Sequence, residues 1–309
     1  MTLRIASLIA SATETIAALG LADLIVGVSH ECDSPPEAIR GRPVLTRAKI
    51  NITRASLDIH RDVEAIVANG LSVYEIDVAA LAAARPTHIV TQDQCQVCAV
   101  TFDDVVRATK ACLAADARII TLHPDTLDDI FADLRKVAAG LGVPERGEAL
   151  AADLRRAVAC VAVSARALVP KPRVICLEWT NPLMVAGNWM PELVELAGGV
   201  NGITAKGDHT QVVSWAKIQA FDPDLICVMP CGYPIAQALA NRADLESLPG
   251  WADLRAVRRG QVYCIDGNTY MNRPGPRIVE SFYILAGLLH PTEFGHLMPP
   301  GAAQRWPAT

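Results

Sequence analysis

LAADLRRAVACVAVSARAL, residues 150–168, reads as one helix with one apolar face. Leu150, Leu154, Val158, Val161, Ala165 and Leu168 recur at spacings of four, four, three, four and three, which a turn of 3.6 residues aligns into a single stripe. Carried back to Glu145, the segment is roughly 24 residues, or about 36 Å at 1.5 Å per residue. Gly142-Val143-Pro144 punctuates the chain ahead of it, after a helix expected over residues 127–141, and Pro170-Lys171-Pro172 stops it. A single helix of that length between two differently patterned halves predicts a connector between two bodies.

The flanking halves alternate short β-branched runs with amphipathic segments. In the first half the runs are residues 4–10, 24–28, 71–76, 88–92 and 118–122, with helices expected over 13–19, 78–84 and 102–115. In the second half, strands are expected over 174–178, 224–229 and 261–265, and helices over 191–197, 214–221, 235–240 and 276–289. Near-continuous apolar strands separated by helices imply a parallel sheet covered on both faces. The expected fold is therefore α/β, with two Rossmann-like lobes of mainly parallel sheet joined by one long helix and a ligand cleft between them. The boundaries follow: residues 1–125 for the first lobe, 126–169 for the helical segment, 170–309 for the second lobe.

Composition narrows the function classes. The 309 residues are 51% hydrophobic and 20% charged, with a formal net charge of −5. The balance is mildly acidic and lacks a dense Lys/Arg cluster, which argues against nucleic acid. The most apolar helical stretch, residues 157–163, is too short for a bilayer and is flanked by Arg155, Arg156 and Arg166. No charged region followed by a long apolar run precedes the first strand, so a cytosolic location is expected. Nine cysteines then suit core positions or metal ligands better than disulfides. Cys112, Cys160, Cys176, Cys227 and Cys264 fall inside expected helices or strands and read as small buried hydrophobes.

Open α/β sheets bind ligands at the carboxyl ends of their strands. The residues just past those ends include Thr13, Glu14, His30, Glu31, Cys32, Cys95, Cys98 and His123 in the first half. The second half supplies Trp179, Trp189, Cys231, Tyr233, Asn268, Tyr270 and Arg273. Trp179, Trp189, Tyr233 and Tyr270 beside Gly and Pro suggest a platform for a flat ligand. Cys95 and Cys98 form a C-x-x-C that Cys32 and Cys231 could complete, and three or four thiolates would suit zinc or an iron–sulfur cluster. With only three, one metal position would stay open for a substrate, as in an enzyme. No catalytic residue is assigned, because no Ser-His-Asp order, Walker loop or paired-carboxylate spacing is present.

The segment SLIASATETIAALGLADLIVGVSHECDSPPEA (residues 7–38) resembles the start of the helical-backbone class of periplasmic binding proteins, nearest to those that bind vitamin B12 for ABC importers. The likeness continues through ARPTHIVTQ, ELVELAGGVNG, AFDPDLICVMP and GQVYCIDGN, and covers nearly the whole chain. It implies a corrinoid (cobalamin-like) or related metal-containing cofactor held between lobes whose motion the helix restricts. Thr13 and Glu14 would line that cleft, Trp179, Trp189, Tyr233 and Tyr270 would supply apolar contact, and Glu31, Asn268 and Arg273 would meet polar groups. Where vitamin B12-binding members carry a stacking aromatic, the match falls on Glu31. Ala79 and Ala216 fall where importer-coupled members present the glutamates that dock against permease arginines. A metal or iron–sulfur protein using the cleft cysteines, and the substrate-binding component of an importer, remain the alternative readings.

Overall fold

The computed structural model describes residues 2–68, 73–93, 102–112 and 117–307. In the first lobe four parallel strands lie in the order Ile25–Val28, Ile5–Ser7, His88–Gln92, Arg118–Leu122. Ala6 pairs with Ile89 and Val90 with Ile120, so the apolar runs meet side by side. Helices Ala10–Ala18 and Leu127–Gly140 cover one face through Ile16, Val137 and Ala138. Helices Val78–Ala84 and Phe102–Cys112 cover the other through Leu81 and Val105. This is the two-sided burial that continuous apolar strands require.

The second lobe has the order Gln211–Val212, Leu183–Val185, Arg173–Thr180, Leu225–Val228, Val262–Ile265, Ala303–Arg305, with Val200–Asn201 also paired to Arg173–Thr180. The three central strands are parallel, and Leu183–Val185, Gln211–Val212 and Ala303–Arg305 add antiparallel edges. Of the run expected over residues 71–76, Tyr74–Ile76 is a strand, but it pairs antiparallel with Thr46–Ala48 in a separate two-stranded ribbon. The first-lobe sheet is accordingly narrower than the runs suggested.

The connector is the helix Pro144–Ala167, 24 residues long. Its buried line runs through Gly147, Ala151, Val158, Ala162 and Ala165, with Leu150, Leu154 and Val161 half-buried beside it. Cys160, expected in the core, is exposed. Two residues along a helix from Val158 is about 200° of rotation, which carries Cys160 to the outer face. Cys176, Cys227 and Cys264 are buried as expected, while the side chain of Cys112 lies outside the described residues.

The preceding helix, Leu127–Gly140, starts at a reciprocal cap. Thr126 Oγ1 accepts from the Asp129 amide at 3.3 Å, and Asp129 Oδ2 accepts from the Thr126 amide at 2.9 Å. The two helices form a hairpin that belongs to both lobes. Ile130, Phe131 and Leu134 join the core of the second lobe, whereas Val137, Ala138 and Leu141 join that of the first. Their crossing depends on Gly147, where a Cβ would stand 2.4 Å from Ala138 Cβ. Gly147→Ala should therefore destabilise the protein by about 1–3 kcal/mol despite alanine's better helix propensity. Urea unfolding monitored by circular dichroism measures this, and a more stable variant would refute the close crossing.

Candidate functional site between the lobes

The strand-end loops of the two sheets face one another. Two zones of direct contact flank the space between them. In the first, residues 266–277 of the second lobe meet the helix Ala10–Ala18 and the loop after strand Ile25–Val28. Gly275 makes the approach possible, since a Cβ there would sit 3.2 Å from the Ser11 carbonyl oxygen. Arg273 Nη1 donates to Glu14 Oε1 at 2.9 Å and to Asp33 Oδ1 at 2.5 Å, and Nη2 donates to Asp33 Oδ2 at 2.8 Å. Arg277 grips Glu14 with two nitrogens, Nε donating to Oε2 at 2.9 Å and Nη2 donating to Oε1. Asn268 joins both sides, accepting from Arg273 and donating to Asp33 at 3.3 Å each.

The side chains of Arg273 and Glu14 are each only 5% exposed. Desolvating such charges is costly, and removing one partner of a buried pair typically costs about 3–5 kcal/mol. This zone is thus an electrostatic seam between the lobes. Glu14 and Arg273, expected as ligand contacts, spend their charge on each other in this conformation.

The second zone is built by the helix Ser56–Ala68 and the segment before it. Ser56 Oγ donates to Asp244 Oδ2, Thr180 Oγ1 donates to the same oxygen at 2.8 Å, and Gln237 Nε2 donates to the Ile52 carbonyl at 2.6 Å. Ile59 is buried in the second lobe's cluster, among Tyr233 and Leu245. The Ser56–Ala68 helix was not foreseen, although Ile59, Val63 and Ile66 recur at helical spacing within it.

Two of the expected platform aromatics are core residues instead. Trp189 is 6% exposed, and its Nε1 donates to the Met271 carbonyl at 3.2 Å. Tyr233 is 2% exposed and packs at 5.2 Å against Trp179. Both follow strands, but the chain there folds back over the sheet edge, and a large ring is the cap that closes it. Trp179 remains half-buried at the cleft, its Nε1 satisfied by the Asn181 carbonyl at 3.0 Å. Tyr270 is half-buried as well, with the Arg277 guanidinium 5.9 Å over its ring. Glu31 is half-buried beside His30, 3.3 Å from Nε2. Glu178, next to Trp179 near the end of a central strand of the second lobe, has its carboxyl raised by burial, against the pull of the Thr210 hydroxyl that donates to it at 2.6 Å.

Of the four candidate cysteine ligands, Cys32 and Cys231 are described. Cys95 and Cys98 lie outside the described residues. Among the described residues, no three His, Cys, Asp or Glu side chains come together as metal ligands. Thr13 is fully buried, and its hydroxyl donates to Ser7 Oγ at 2.7 Å and lies 3.0 Å from Cys32 Sγ. Burial pushes the Cys32 thiol up to about 11, outweighing the Thr13 hydrogen bond that lowers it. Cys231, half-buried, uses its amide on the Glu178 carbonyl at 3.2 Å. His123, a further strand-end candidate, has Nδ1 2.6 Å from Asp93 Oδ1, and His30 Nδ1 is 2.7 Å from Thr46 Oγ1. With its thiol at about 11, roughly one Cys32 in a thousand is ionised at pH 8. Iodoacetamide at pH 8 should therefore modify exposed Cys160 at least about tenfold faster than Cys32. Peptide-level mass spectrometry reads the two rates, and equal rates would contradict the burial of Cys32.

The match to known proteins agrees with this geometry. The family model described as periplasmic binding protein aligns with residues 5–269. The vitamin B12-binding protein of Vibrio cholerae serotype O1 is 25% identical over 280 residues, which is 90% of this chain and 86% of that protein. Among solved structures, the apo form of the periplasmic heme-binding protein RhuT from Roseiflexus sp. RS-1 has a TM-score of 0.69 at 25% identity, covering 94% of this chain and 99% of that one. The periplasmic vitamin B12 binding protein BtuF of Vibrio cholerae has a TM-score of 0.66 at 21% identity, covering 94% and 97%. The chain belongs to the periplasmic binding protein family.

Proposed function

We propose that this protein binds a corrinoid or a closely related metal-containing tetrapyrrole in the cleft between its lobes. The observation that carries the reading is the likeness to a vitamin B12-binding protein along nine-tenths of the chain, both lobes and the connecting hairpin included. The geometry is compatible with it. Trp179 offers a half-buried aromatic face, and Glu31, Cys231, Asn268 and Tyr270 are likewise partly exposed at strand ends. Heme is the second ligand of this class, favoured by the two arginines of the interlobe seam, which suit a ligand bearing acid groups.

A zinc or iron–sulfur centre owned by the cleft has less behind it. It would draw on Cys95 and Cys98, which lie outside the described residues, and on Cys32 and Cys231, both half-buried. As an importer component the chain would need a permease-docking surface. Ala79 and Ala216 are both exposed at equivalent places, on helices that end at Arg85 and Asp222 in left-handed conformation before a proline. Neither offers a carboxylate, so the proposed role is ligand holding without that docking mode, in the cytosol. Among the described residues no helix is long and apolar enough to cross a membrane. Fractionation of cells producing the native chain tests the location.

Titration with cyanocobalamin and with hemin, followed by tryptophan fluorescence and ligand absorbance, tests the ligand. Binding of either should quench emission, and Trp179→Ala should weaken it by about 1–3 kcal/mol, the scale of a lost large apolar contact. Trp189→Ala should lower stability instead, since its ring is core. Absence of binding by both ligands up to millimolar concentration would refute the proposal.

A further inference from the structure

We infer that Asp33 occupies an anion subsite, and that Arg273, backed by Arg277, is built to receive a carboxylate or phosphate group of the cleft's ligand in its place. The inference rests on the ligand-binding reading above and adds which substituent is recognised and where. Three observations carry it.

The first is charge. Arg273 and Arg277 bring two positive charges to the seam, and Glu14 is the buried carboxylate between them, so those three groups leave one positive charge over. Asp33 supplies a balancing charge in direct contact with Arg273, while Glu280 adds a negative charge near Arg277 and Glu14. The Asp33 side chain is 45% exposed, whereas that of Arg273 is 5% exposed. The permanent partner is thus sealed in, and the balancing one is at the surface.

The second is direction. Among the described residues, the hydrogen-bond and ion-pair partners of the Asp33 carboxylate belong to the opposite lobe: Arg273 at 2.5 and 2.8 Å, Asn268 at 3.3 Å and Arg277 at 3.8 Å. A first-lobe residue that gives its charge wholly to the second lobe sits as a ligand would sit. The bidentate fork of Arg273 matches a planar carboxylate, and a phosphate oxygen pair fits the same donors. Asn268 completes the pocket, since its amide nitrogen donates to the group and its oxygen holds Arg273.

The third is anchoring. Glu14 stands within the helix Ala10–Ala18, next to the Ser11–Gly275 approach, and is fixed by that packing. Asp33 stands on the loop between the strand Ile25–Val28 and the short helix Pro36–Ile39. Glu14 stays on both arginines, and the positive charge it leaves over at this buried site is costly without a second anion. Asp33 therefore serves as the occupant when no ligand acid is present, and it competes with that acid when one arrives.

The test pairs a variant with matched ligands. Asp33→Asn keeps shape but removes the competing charge. Hemin should bind it about tenfold tighter than the parent protein, on the scale of one charge-assisted hydrogen bond, while hemin dimethyl ester should be unaffected. In the corrinoid arm, cyanocobalamin carries a phosphodiester and dicyanocobinamide does not, so only the former should gain. A gain in the hemin arm identifies a carboxylate as the natural group, and one in the corrinoid arm a phosphate; either supports the inference. Arg273→Gln in the Asp33→Asn background should erase the gain, with melting curves confirming the fold. If Asp33→Asn tightens acid and neutral ligands alike, Asp33 merely holds the lobes shut and the anion subsite is refuted; unchanged binding of all four refutes it too. If none of the four ligands binds parent or variant, the tetrapyrrole reading falls and takes this inference with it.

Discussion

The Glu14 carboxylate, 5% exposed and gripped by two arginines from the other lobe, sets how this molecule can close. A charge in that position is tolerable only while its partners stay within hydrogen-bond reach. Their reach depends on the connecting hairpin, because residues 14 and 273 are far apart in sequence and meet only if the lobes present their strand ends to each other. The apolar stripe of the long helix, the close crossing at Gly147 and the seam at Glu14 are thus successive parts of one constraint. Each fixes the geometry that the next requires.

That constraint also shapes the cleft. Two polar contact zones, one around Glu14 that includes Asn268 and one around Asp244, join the lobes, while Trp179 packs on Tyr233. Large rings that could have lined the opening, Trp189 and Tyr233, instead close the core at the sheet edge. What stays partly exposed at the strand ends is Trp179 and Tyr270 among the aromatics, with the polar groups of Glu31, Cys231 and Asn268.

Much of the fold was legible because burial imposes local patterns. The long helix appears in the sequence as a stripe bounded by prolines, and the strands as short β-branched runs. The antiparallel edges Leu183–Val185 and Ala303–Arg305 were not legible, since three-residue strands carry too little pattern to separate from loop. The site was legible in outline only. Strand-end position singled out Glu31, Trp179 and Asn268, all half-buried, but it does not say whether a ring turns inward or outward. Arg277 and Asp244 were missed because their roles depend on partners 263 and 188 positions away, at Glu14 and Ser56. The clue available at Arg273 and Arg277 was two arginines in a Pro- and Gly-rich loop, where a buried cation must find an acid elsewhere.

The helix Leu127–Gly140 gives one end of its apolar face to each core. No cut between the lobes leaves both complete. A break near residue 125 would strip Val137, Ala138 and Leu141 from the first lobe, and one near residue 169 would expose Leu127, Ile130 and Phe131 that the second lobe buries. The lobes are consequently inseparable as units of folding or of exchange: a lobe transplanted from a relative must bring its share of the hairpin, and a hairpin matched to one lobe must still fit the other.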